Sequence, residues 1–361
     1  MQFTVQKANL AAAMDVAFRA IPSKTTMPLL YNFLIEVDGT DGIITSTDMS
    51  TSIKTHFVCM ATEPGKMCVD AKMLMQAVKK MGKADISLQT DEQKVIVTGA
   101  KARYEFPIRS DVDEYPDMPV IADANKITVD ANQFKEMIDG VAFSVGQNIS
   151  QKIYTAINLS VKDKLLRLTT TDMTRVSIRQ KDINYEDDFN VNVPCKTMTE
   201  LAKSLDGGDL TIEASNINIR FTFGQTTICA RLIDGKFFDV DQMFKTKPTI
   251  NIKCDKRDLM ESIDRSLVIV GQEKTPIVFD VKDDYVKLSI KTNVSNFDED
   301  VACEKAGDDI RIGLNPNFAL DALKVTDATD VKIAMHNANS PLFILDEVAD
   351  EYAYIILPVN I

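Results

Sequence analysis

Two histidines and one recurring aspartate are the residues of this sequence best suited to proton transfer. His56 and His336 both lie in stretches with the alternating pattern of a β-strand, which favours a structural role for each. Asp48 and Asp172 occupy equivalent places in two copies of a Thr-Asp-Met motif. Acid–base catalysis needs two groups that converge on one bond, whereas residues of separate copies fall in separate domains. We therefore predict hydrogen-bonded turn aspartates and no catalytic residues.

The cysteines and the common cofactor motifs give no further catalytic or metal-binding signal. Gly-x-x-x-x-Gly-Lys-Ser/Thr, Gly-x-Gly-x-x-Gly, His-Glu-x-x-His and Gly-x-Ser-x-Gly are absent from the sequence. Six cysteines are spread singly, without a Cys-x-x-Cys pair, which predicts buried free thiols rather than disulfides or a zinc site: Cys59, Cys68, Cys195, Cys229, Cys254 and Cys303. We expect neither a metal nor a cofactor.

Composition predicts a folded protein of several domains. The chain has 361 residues, 45% of them hydrophobic, which is enough to bury a core in each of two or three domains. The N-terminus lacks a signal-peptide pattern and no apolar run approaches the ~18 residues of a membrane span, so we expect a cytoplasmic protein. The net charge of −12 argues against a partner held by its phosphates, because such binding depends on Lys and Arg.

A repeated segment organises the chain. Residues 157–173, INLSVKDKLLRLTTTDM, repeat the pattern of residues 33–49, FLIEVDGTDGIITSTDM, at an offset of 124 that holds without a gap over about a hundred positions. Both segments alternate apolar and polar residues around a polar turn, which predicts a β-hairpin. Residues 277–293, IVFDVKDDYVKLSIKTN, form a weaker third copy. Three repeats therefore account for the whole chain.

Each repeat is predicted to contain the unit strand, helix, three strands twice. Leu10, Met14 and Phe18 are spaced four apart and mark the apolar face of a first helix, and comparable stripes predict five more helices. Linkers are expected at 111–123 and 245–249, and a last strand at 352–359. Six short helices and many strands give an α+β fold in which sheets dominate.

Several segments are specific enough to identify a family: TTMPLLYN at 25–32, STDM at 46–49, EYPDMP at 114–119, LDGGD at 205–209, RLIDGKF at 231–237 and YIILPVNI at 354–361. With these segments the entire chain resembles the bacterial DNA polymerase III beta subunits, the sliding clamps. The resemblance implies three tandem clamp domains, each with two helices packed on antiparallel sheets, at residues 1–120, 126–245 and 249–361.

The resemblance also implies a function without catalysis. Two subunits would close head to tail as a homodimeric ring, and double-stranded DNA would thread the ring without sequence-specific contacts. The replicative polymerase, the clamp loader and repair proteins would attach through short clamp-binding peptides, and no membrane is involved. The charge pattern is compatible with this: the six predicted helix segments sum to +3, which leaves −15 for the rest of the chain.

Three groups of site residues follow from the resemblance. The peptide-binding pocket would be formed by Tyr154, Thr171, Met173, Thr174, Arg175, Val176, Phe238, Gln242, Met243, Asn315, Phe318, Ser340, Pro341, Leu342, Ile355, Leu357, Pro358, Val359, Asn360 and Ile361. The DNA-facing residues would be Lys24, Lys72, Lys79, Lys80, Lys83, Asn148, Gln151, Lys196 and Lys203. The dimer interface would use Met73, Ala77, Met81, Tyr104, Ile269, Val270, Asp298, Glu299 and Asp300.

The pocket departs from the family pattern at three places. Met173-Thr174 stands where Gly-His is usual before the arginine, Phe238 replaces a proline, and Asn360 replaces a basic residue. These changes add bulk and remove positive charge, which leaves the preferred peptide open.

Two other readings compete with the clamp. One is a β-rich three-domain enzyme or ligand-binding protein without a DNA role, which the missing catalytic constellation and the evenly recurring elements disfavour. The other is a clamp relative whose two-domain subunits close as a trimer, which the count of three repeats disfavours. Mass in solution would separate these readings, because a clamp of this kind has to be a dimer.

Overall fold

The structure is a computed structural model that describes residues 1–82, 85–147, 150–270, 275–346 and 350–361. Over these residues six α-helices form where the apolar spacing predicted them: α1 Lys7–Ala17, α2 Ala71–Lys80, α3 Ala131–Ala142, α4 Cys195–Ala202, α5 Lys256–Ser266 and α6 Pro316–Lys324. Pro316 opens α6, and Asn315 caps it because its side-chain oxygen accepts the amide of Asn317 at 3.0 Å.

Strands make up most of the remaining secondary structure. In the described ranges they are β1 Gln2–Gln6, β2 Asn32–Asp38, β3 Asp41–Thr47, β4 Thr51–Val58, β5 Met60–Glu63, β6 Gly65–Asp70, β7 Asp85–Asp91, β8 Lys94–Gly99, β9 Ala102–Pro107, β10 Asn125–Asp130, β11 Ala156–Lys162, β12 Leu165–Thr171, β13 Arg175–Asp182, β14 Phe189–Pro194, β15 Asp209–Ala214, β16 Asn218–Phe223, β17 Thr226–Arg231, β18 Ile250–Asp255, β19 Ile277–Val281, β20 Tyr285–Lys291, β21 Asn296–Ala302, β22 Glu304–Ala306, β23 Ile310–Leu314, β24 Asp330–Met335, β25 Leu342–Leu345 and β26 Tyr352–Ile356.

The predicted unit of strand, helix and three strands recurs twice in each repeat, with two additions and one correction. The short strands β5 and β22 were not expected. The last strand ends at Ile356 rather than at Val359, because Pro358 has no N–H to donate and Val359 makes only an isolated bridge to Gly313.

The described chain divides into two compact units. Unit 1 comprises Met1–Phe134 and Glu200–Leu232. It contains a five-stranded sheet, β5-β1-β7-β8-β9, and an eight-stranded sheet, β10-β15-β16-β17-β4-β3-β2-β6. Antiparallel pairing of β4 with β17 carries the larger sheet from the first repeat into the second.

The core of unit 1 lies between its helices and sheets. Alternation along β2 buries Phe33, Ile35 and Val37, and the apolar face of α1 buries Leu10 and Met14 in the same cluster. The apolar periodicities of the sequence thus identify the buried side of each element.

Unit 2 comprises Lys135–Thr199 and Ile233–Ile361. It contains a nine-stranded sheet, β14-β11-β12-β13-β26-β25-β24-β18-β22, and a four-stranded sheet, β21-β20-β19-β23. Here β13 pairs with β26, so the larger sheet continues from the second repeat into the third. Because each large sheet crosses a repeat boundary, the two compact units do not coincide with the three sequence repeats.

A lysine links the paired helices in each unit. Lys7, the first residue of α1, donates its amine to the carbonyl oxygens of Lys79, at 3.0 Å, and Met81, at the end of α2. Lys256 begins α5 and donates to the Thr326 carbonyl, beyond the end of α6, at 2.7 Å. A cation at a helix C-terminus satisfies carbonyls that lack helical partners and interacts favourably with the helix dipole.

Candidate functional site

The candidate site in unit 2 is built on the pairing of β13 with β26. In this antiparallel register Val176 lies opposite Ile355 and Ile178 opposite Ala353. All four side chains are buried and pack with Val240 in one small apolar cluster. The cluster forms a firm floor, since each large aliphatic side chain buried contributes roughly 1.5–3 kcal/mol.

The turn between β12 and β13 presents Met173 at the surface. Asp172 Oδ1 accepts the amides of Thr174 and Arg175, each at 3.0 Å, which confirms the predicted turn aspartate. Thr171 Oγ1 accepts the Met173 amide at 3.0 Å and donates to the Arg175 carbonyl at 2.7 Å. These bonds hold Met173 at a φ of 74°, with 58% of the residue exposed. A rigid turn therefore carries an adaptable thioether side chain.

The first repeat contains the same turn, as the repeated Thr-Asp-Met motif predicted. Asp48 Oδ1 accepts the amides of Ser50 at 3.0 Å and Thr51 at 2.8 Å. Met49 has a φ of 70° and is 57% exposed. Two aspartates in separate turns perform the same structural task.

Arg175 is held on all sides by its own unit. Its Nε donates to Asp172 Oδ2 at 2.9 Å, its Nη1 to Asp321 Oδ2 at 2.8 Å and its Nη2 to the Phe143 carbonyl at 2.8 Å. The guanidinium carbon also lies 4.2 Å from the centroid of the Phe318 ring. Arg175 therefore orders the turn and the neighbouring helix, and two carboxylates balance its charge.

An apolar cavity of about 180 Å³ opens between this turn, the end of β26 and the segment after Gly235. An engineered apolar cavity of about 150 Å³ holds benzene, so this one has room for roughly one leucine or phenyl side chain. Nine of the twenty residues predicted for the peptide pocket line it: Tyr154, Thr171, Met173, Arg175, Val176, Phe238, Met243, Ile355 and Leu357.

Two neighbouring phenylalanines set one wall of the cavity. Phe237 is buried and meets the Tyr154 ring edge-on, with the centroids 6.2 Å apart. Phe238 is 43% exposed and lies at the rim. The next residue, Asp239, accepts a hydrogen bond from the Gln242 amide at 3.1 Å, and that bond holds the pKa of its carboxyl below the usual range.

The other predicted pocket residues lie outside the cavity lining. Leu342 is a core residue of β25, and Phe318 packs on Arg175. Thr174 donates its hydroxyl to Asp172, and Ser340 Oγ accepts the Asn337 amide. The full set outside the lining is Thr174, Gln242, Asn315, Phe318, Ser340, Pro341, Leu342, Pro358, Val359, Asn360 and Ile361. Sequence reasoning missed Phe143 and Asp321, which hold Arg175, because nothing local to either residue marks that contact.

The C-terminal tail is fastened beside the cavity by two backbone bonds. The Leu357 amide donates to the Thr174 carbonyl at 2.9 Å, and the Val359 amide to the Gly313 carbonyl at 2.9 Å. A Cβ at Gly313 would lie 2.2 Å from Ile361 Cγ2, so the tail can pack there only over glycine.

The predicted DNA-facing residues that the structure describes are all exposed: Lys24, Lys72, Lys79, Lys80, Gln151, Lys196 and Lys203. Lys83 and Asn148 lie outside the described residues. Lys79 pairs with Asp15 at 2.6 Å and Lys203 with Glu200 at 2.8 Å. With the observed helix bounds the six described helices sum to +2, and α2 alone carries +3. The positive charge is therefore concentrated on α2.

The predicted dimer residues fall into exposed and buried sets. Met73 is 46% exposed, and Tyr104 lies on β9 at the edge of the five-stranded sheet. Ala77 and Met81 are buried in the core of unit 1, so their side chains are not presented to another molecule.

The third-repeat members of the dimer set lie near β21, an edge strand of the four-stranded sheet. Ile269 and Val270 are half-buried, and Asp298, Glu299 and Asp300 lie on β21 itself. Asp298 pairs with Lys287 at 3.5 Å and Glu299 with Arg265 at 2.6 Å, so much of this acidic charge is balanced within unit 2.

The histidines and cysteines have structural surroundings. His56 Nδ1 lies 3.0 Å from Asp41, and His336 Nδ1 lies 3.3 Å from Thr249 Oγ1. All six thiols are free, and four are buried. Burial raises the pKa of the half-buried Cys195 thiol to about 11. Among the described residues, no cluster of His, Cys, Asp and Glu has the arrangement of a metal site, and no helix is long and apolar enough to cross a membrane.

Comparison with known proteins gives the same domain order along the chain. Residues 1–119 match the N-terminal domain of the DNA polymerase III beta subunit, 128–239 its central domain and 241–360 its C-terminal domain. The beta sliding clamp of Bacillus subtilis is 26% identical, with 100% of both chains covered.

Solved structures agree over the same length. A structure from Eubacterium rectale, assigned to the DNA polymerase III beta subunit, is 32% identical over 100% of both chains with a TM-score of 0.96. A sliding clamp of Pseudomonas aeruginosa, solved with griselimycin bound, is 24% identical over 100% of both chains, also with a TM-score of 0.96.

The fold and the domain order define a three-domain DNA clamp, a class of protein without catalytic activity. The chain belongs to the DNA polymerase III beta subunit family, the bacterial sliding clamps of DNA replication. The alternative of a β-rich enzyme or ligand-binding protein is not supported.

We expect Arg175→Lys to destabilise the protein by about 2–4 kcal/mol, because a lysine cannot keep three separate acceptors satisfied in a site where the arginine side chain is only 12% exposed. The midpoint of urea unfolding, followed by circular dichroism, measures this. Arg167→Lys is the matched control. The Asp241 side chain that pairs with Arg167 is 59% exposed, so this substitution should lower the free energy of unfolding by less than about 1 kcal/mol. Equal shifts for the two variants would contradict the role given to Arg175.

Proposed function

We propose that this chain is one subunit of a head-to-tail homodimeric ring, with clamp domains at 1–120, 126–245 and 249–361. The ring encircles double-stranded DNA in the cytoplasm and tethers the replicative polymerase, the clamp loader and repair proteins to it. The observation that carries the proposal is the match to all three family domains, in order, over nearly the whole chain.

Two open sheet edges support the closure of the ring. β9 ends the five-stranded sheet and β21 ends the four-stranded sheet, and an edge strand carries unpaired N–H and C=O groups that can pair with another chain. A contact between unlike edges is heterologous, and two-fold symmetry makes it twice. Met73 and Tyr104 would meet Ile269 and Val270, while lysines of α2 and Asp300 would favour the correct register.

The double variant Ile269→Ala, Val270→Ala should weaken this dimer, because it removes apolar side chains from a small contact. Mass measured by light scattering at decreasing concentration should show monomer at concentrations where the native chain is still dimeric. Val120→Ala removes the same kind of side chain from a linker residue that is 87% exposed, and it should leave the dimer unchanged. A double variant that dimerises like the native chain would place the interface elsewhere.

DNA contact should be non-specific and weak. The low net helix charge provides few phosphate contacts, and affinity made of such contacts falls steeply with salt. Retention on DNA would then come from the closed ring rather than from charge. The transient contacts would be made by the lysines of α2 and by Lys24, Gln151, Lys196 and Lys203. Lys83 and Asn148, which lie outside the described residues, are proposed as DNA-facing residues as well.

Topological binding predicts that circular DNA, but not linear DNA of the same sequence, retains the protein once a loader has closed the ring. Gel filtration of loaded complexes at high salt measures this retention, and cutting the circle with a restriction enzyme should release the protein. Equal retention of circular and linear DNA would contradict the ring mechanism.

The apolar cavity of unit 2 is proposed as the docking site for clamp-binding peptides. Its size suits one apolar anchor side chain, and Met173 and Met243 give a lining that can adapt to related sequences. Affinity for one peptide should be on the order of micromolar, because the contact is much smaller than a standard protein interface.

Deleting residues 357–361 should abolish binding of a fluorescent peptide that contains Gln, Leu and Phe, because Leu357 lines the cavity. Leu357→Ala alone should weaken binding about tenfold, in line with the loss of roughly 1–2 kcal/mol of apolar contact. Val359→Ala is the matched control, because Val359 lies in the same tail outside the cavity lining. Anisotropy titration measures affinity, and unchanged binding after the deletion would move the peptide site elsewhere.

A further inference from the structure

The two large sheets cross from one repeat to the next through junctions with the same backbone and different side chains. In unit 1, Thr55 of β4 lies opposite Thr226 of β17. In unit 2, Arg179 of β13 lies opposite Tyr352 of β26. Thr55 and Arg179 are 124 residues apart, the offset that relates the first repeat to the second.

Backbone hydrogen bonds support this correspondence. The His56 amide donates to the Gln225 carbonyl at 3.0 Å, and the Gln180 amide donates to the Glu351 carbonyl at 2.8 Å. In unit 1 the bond joins the residue after Thr55 to the residue before Thr226. In unit 2 it joins the residue after Arg179 to the residue before Tyr352. The two junctions therefore have the same register, and their side chains can be compared position by position.

In unit 2 a guanidinium group fills the junction. Arg179 Nε donates to the Tyr354 hydroxyl at 2.9 Å, and Arg179 Nη2 donates to the Val325 carbonyl. The guanidinium carbon lies 5.0 Å from the centroid of the Tyr352 ring. Gly140 makes room for this side chain, because a Cβ there would lie 2.4 Å from Arg179 Nε.

In unit 1 the equivalent positions carry small side chains and leave a groove. Thr55 and Thr226 are buried, and their hydroxyl oxygens lie 2.9 Å apart. Val16 stands at the position of Gly140, Ser204 is the second residue after α4, and Val325 is the first residue after α6. These small side chains line a groove of about 660 Å³, which is bordered by Val16, Thr55, Thr226 and Ser204.

The lining of this groove has the chemistry that binds a guanidinium. It includes the carboxylates of Asp206 and of Asp41, and none of its residues is a lysine or arginine. Asp41 lies 3.0 Å from Nδ1 of His56, which belongs to the same lining, and the side chains of Phe57 and Phe223 are buried. Carboxylates accept paired hydrogen bonds from a guanidinium. Its volume lies within the range of about 300–1,000 Å³ that is usual for ligand pockets.

We propose that this groove, the junction groove of unit 1, is a docking site for an arginine side chain presented by an extended segment of a partner protein. The same position in unit 2 takes an arginine of the chain itself, and the charge of the unit 1 groove complements a cation. An arginine suits the site better than a lysine, because its planar group can donate to two acceptors at once. This site lies in unit 1 and does not depend on the apolar cavity of unit 2.

Amide chemical shifts of the full-length, isotope-labelled chain test the proposal with the blocked peptide Gly-Gly-Arg-Gly-Gly. Millimolar peptide should shift the amides of Thr55, Gly224 and Thr226 in a saturable way. The same peptide with citrulline, which is neutral and nearly isosteric, should bind about tenfold more weakly, as should the lysine peptide. No saturable shift at these amides, or equal affinity for citrulline, would overturn the proposal. Free arginine that binds as tightly as the peptide would also overturn it, since the site would then serve a small molecule.

Two variants link the shifts to the groove. Asp41→Asn with Asp206→Asn should reduce the affinity for the arginine peptide about tenfold, whereas Asp38→Asn, an exposed residue outside the lining, should not. Val16→Gly with Thr55→Arg copies the unit 2 arrangement and should abolish binding by filling the groove. Unaltered affinity in the aspartate double variant would contradict the proposed site, whether or not the second variant folds.

Discussion

Antiparallel pairing of β13 with β26 is the interaction on which the candidate site of unit 2 depends. It places Val176 and Ile355 on one face of the sheet, where they form the floor of the apolar cavity. The Leu357 amide continues the ladder to the Thr174 carbonyl and brings the tail beside the turn. A slip of one residue would move Ile355 to the opposite face, where Arg179 bonds Tyr354. The shape of the cavity therefore depends more on the register of this strand pair than on the strength of any single hydrogen bond in it.

Arg175 shows how a charged residue can belong to an apolar site. Asp172 and Asp321 balance the guanidinium, and its ring contact with Phe318 ties the turn to α6. Each of its three guanidinium nitrogens donates to an acceptor of the same unit, which fixes the position of the group. In the proposed peptide site its contribution would be the fixed position it gives to Met173 and to the turn, which would lower the ordering cost of binding.

Patterns in the sequence predicted the hairpins and the helices, because periodicity is a local signal, whereas the residues that line the cavity were expected from the family resemblance. They did not predict that Asp321 holds Arg175 or that Ile361 packs over Gly313, since these contacts join distant parts of the chain. The resemblance also assigned Ala77 and Met81 to the dimer interface, although the side chains of both are buried in the core of unit 1. Matching a residue to a family position suggests its role, but whether its side chain is exposed depends on how this particular chain packs.

The aromatic residues after each repeat explain why Phe238 can alter the site without disturbing the fold. Tyr115 is buried after the first repeat, and its hydroxyl donates to the Asn32 carbonyl at 3.0 Å. Phe237 is the corresponding anchor after the second repeat, packed against Tyr154. Because Phe237 already fixes the segment, its neighbour Phe238 is free to carry bulk at the rim where the family usually has a proline. Met173 lines the same cavity, so the rim is apolar on both sides. If the cavity is the proposed peptide site, this surface would restrict which anchor side chains can enter it.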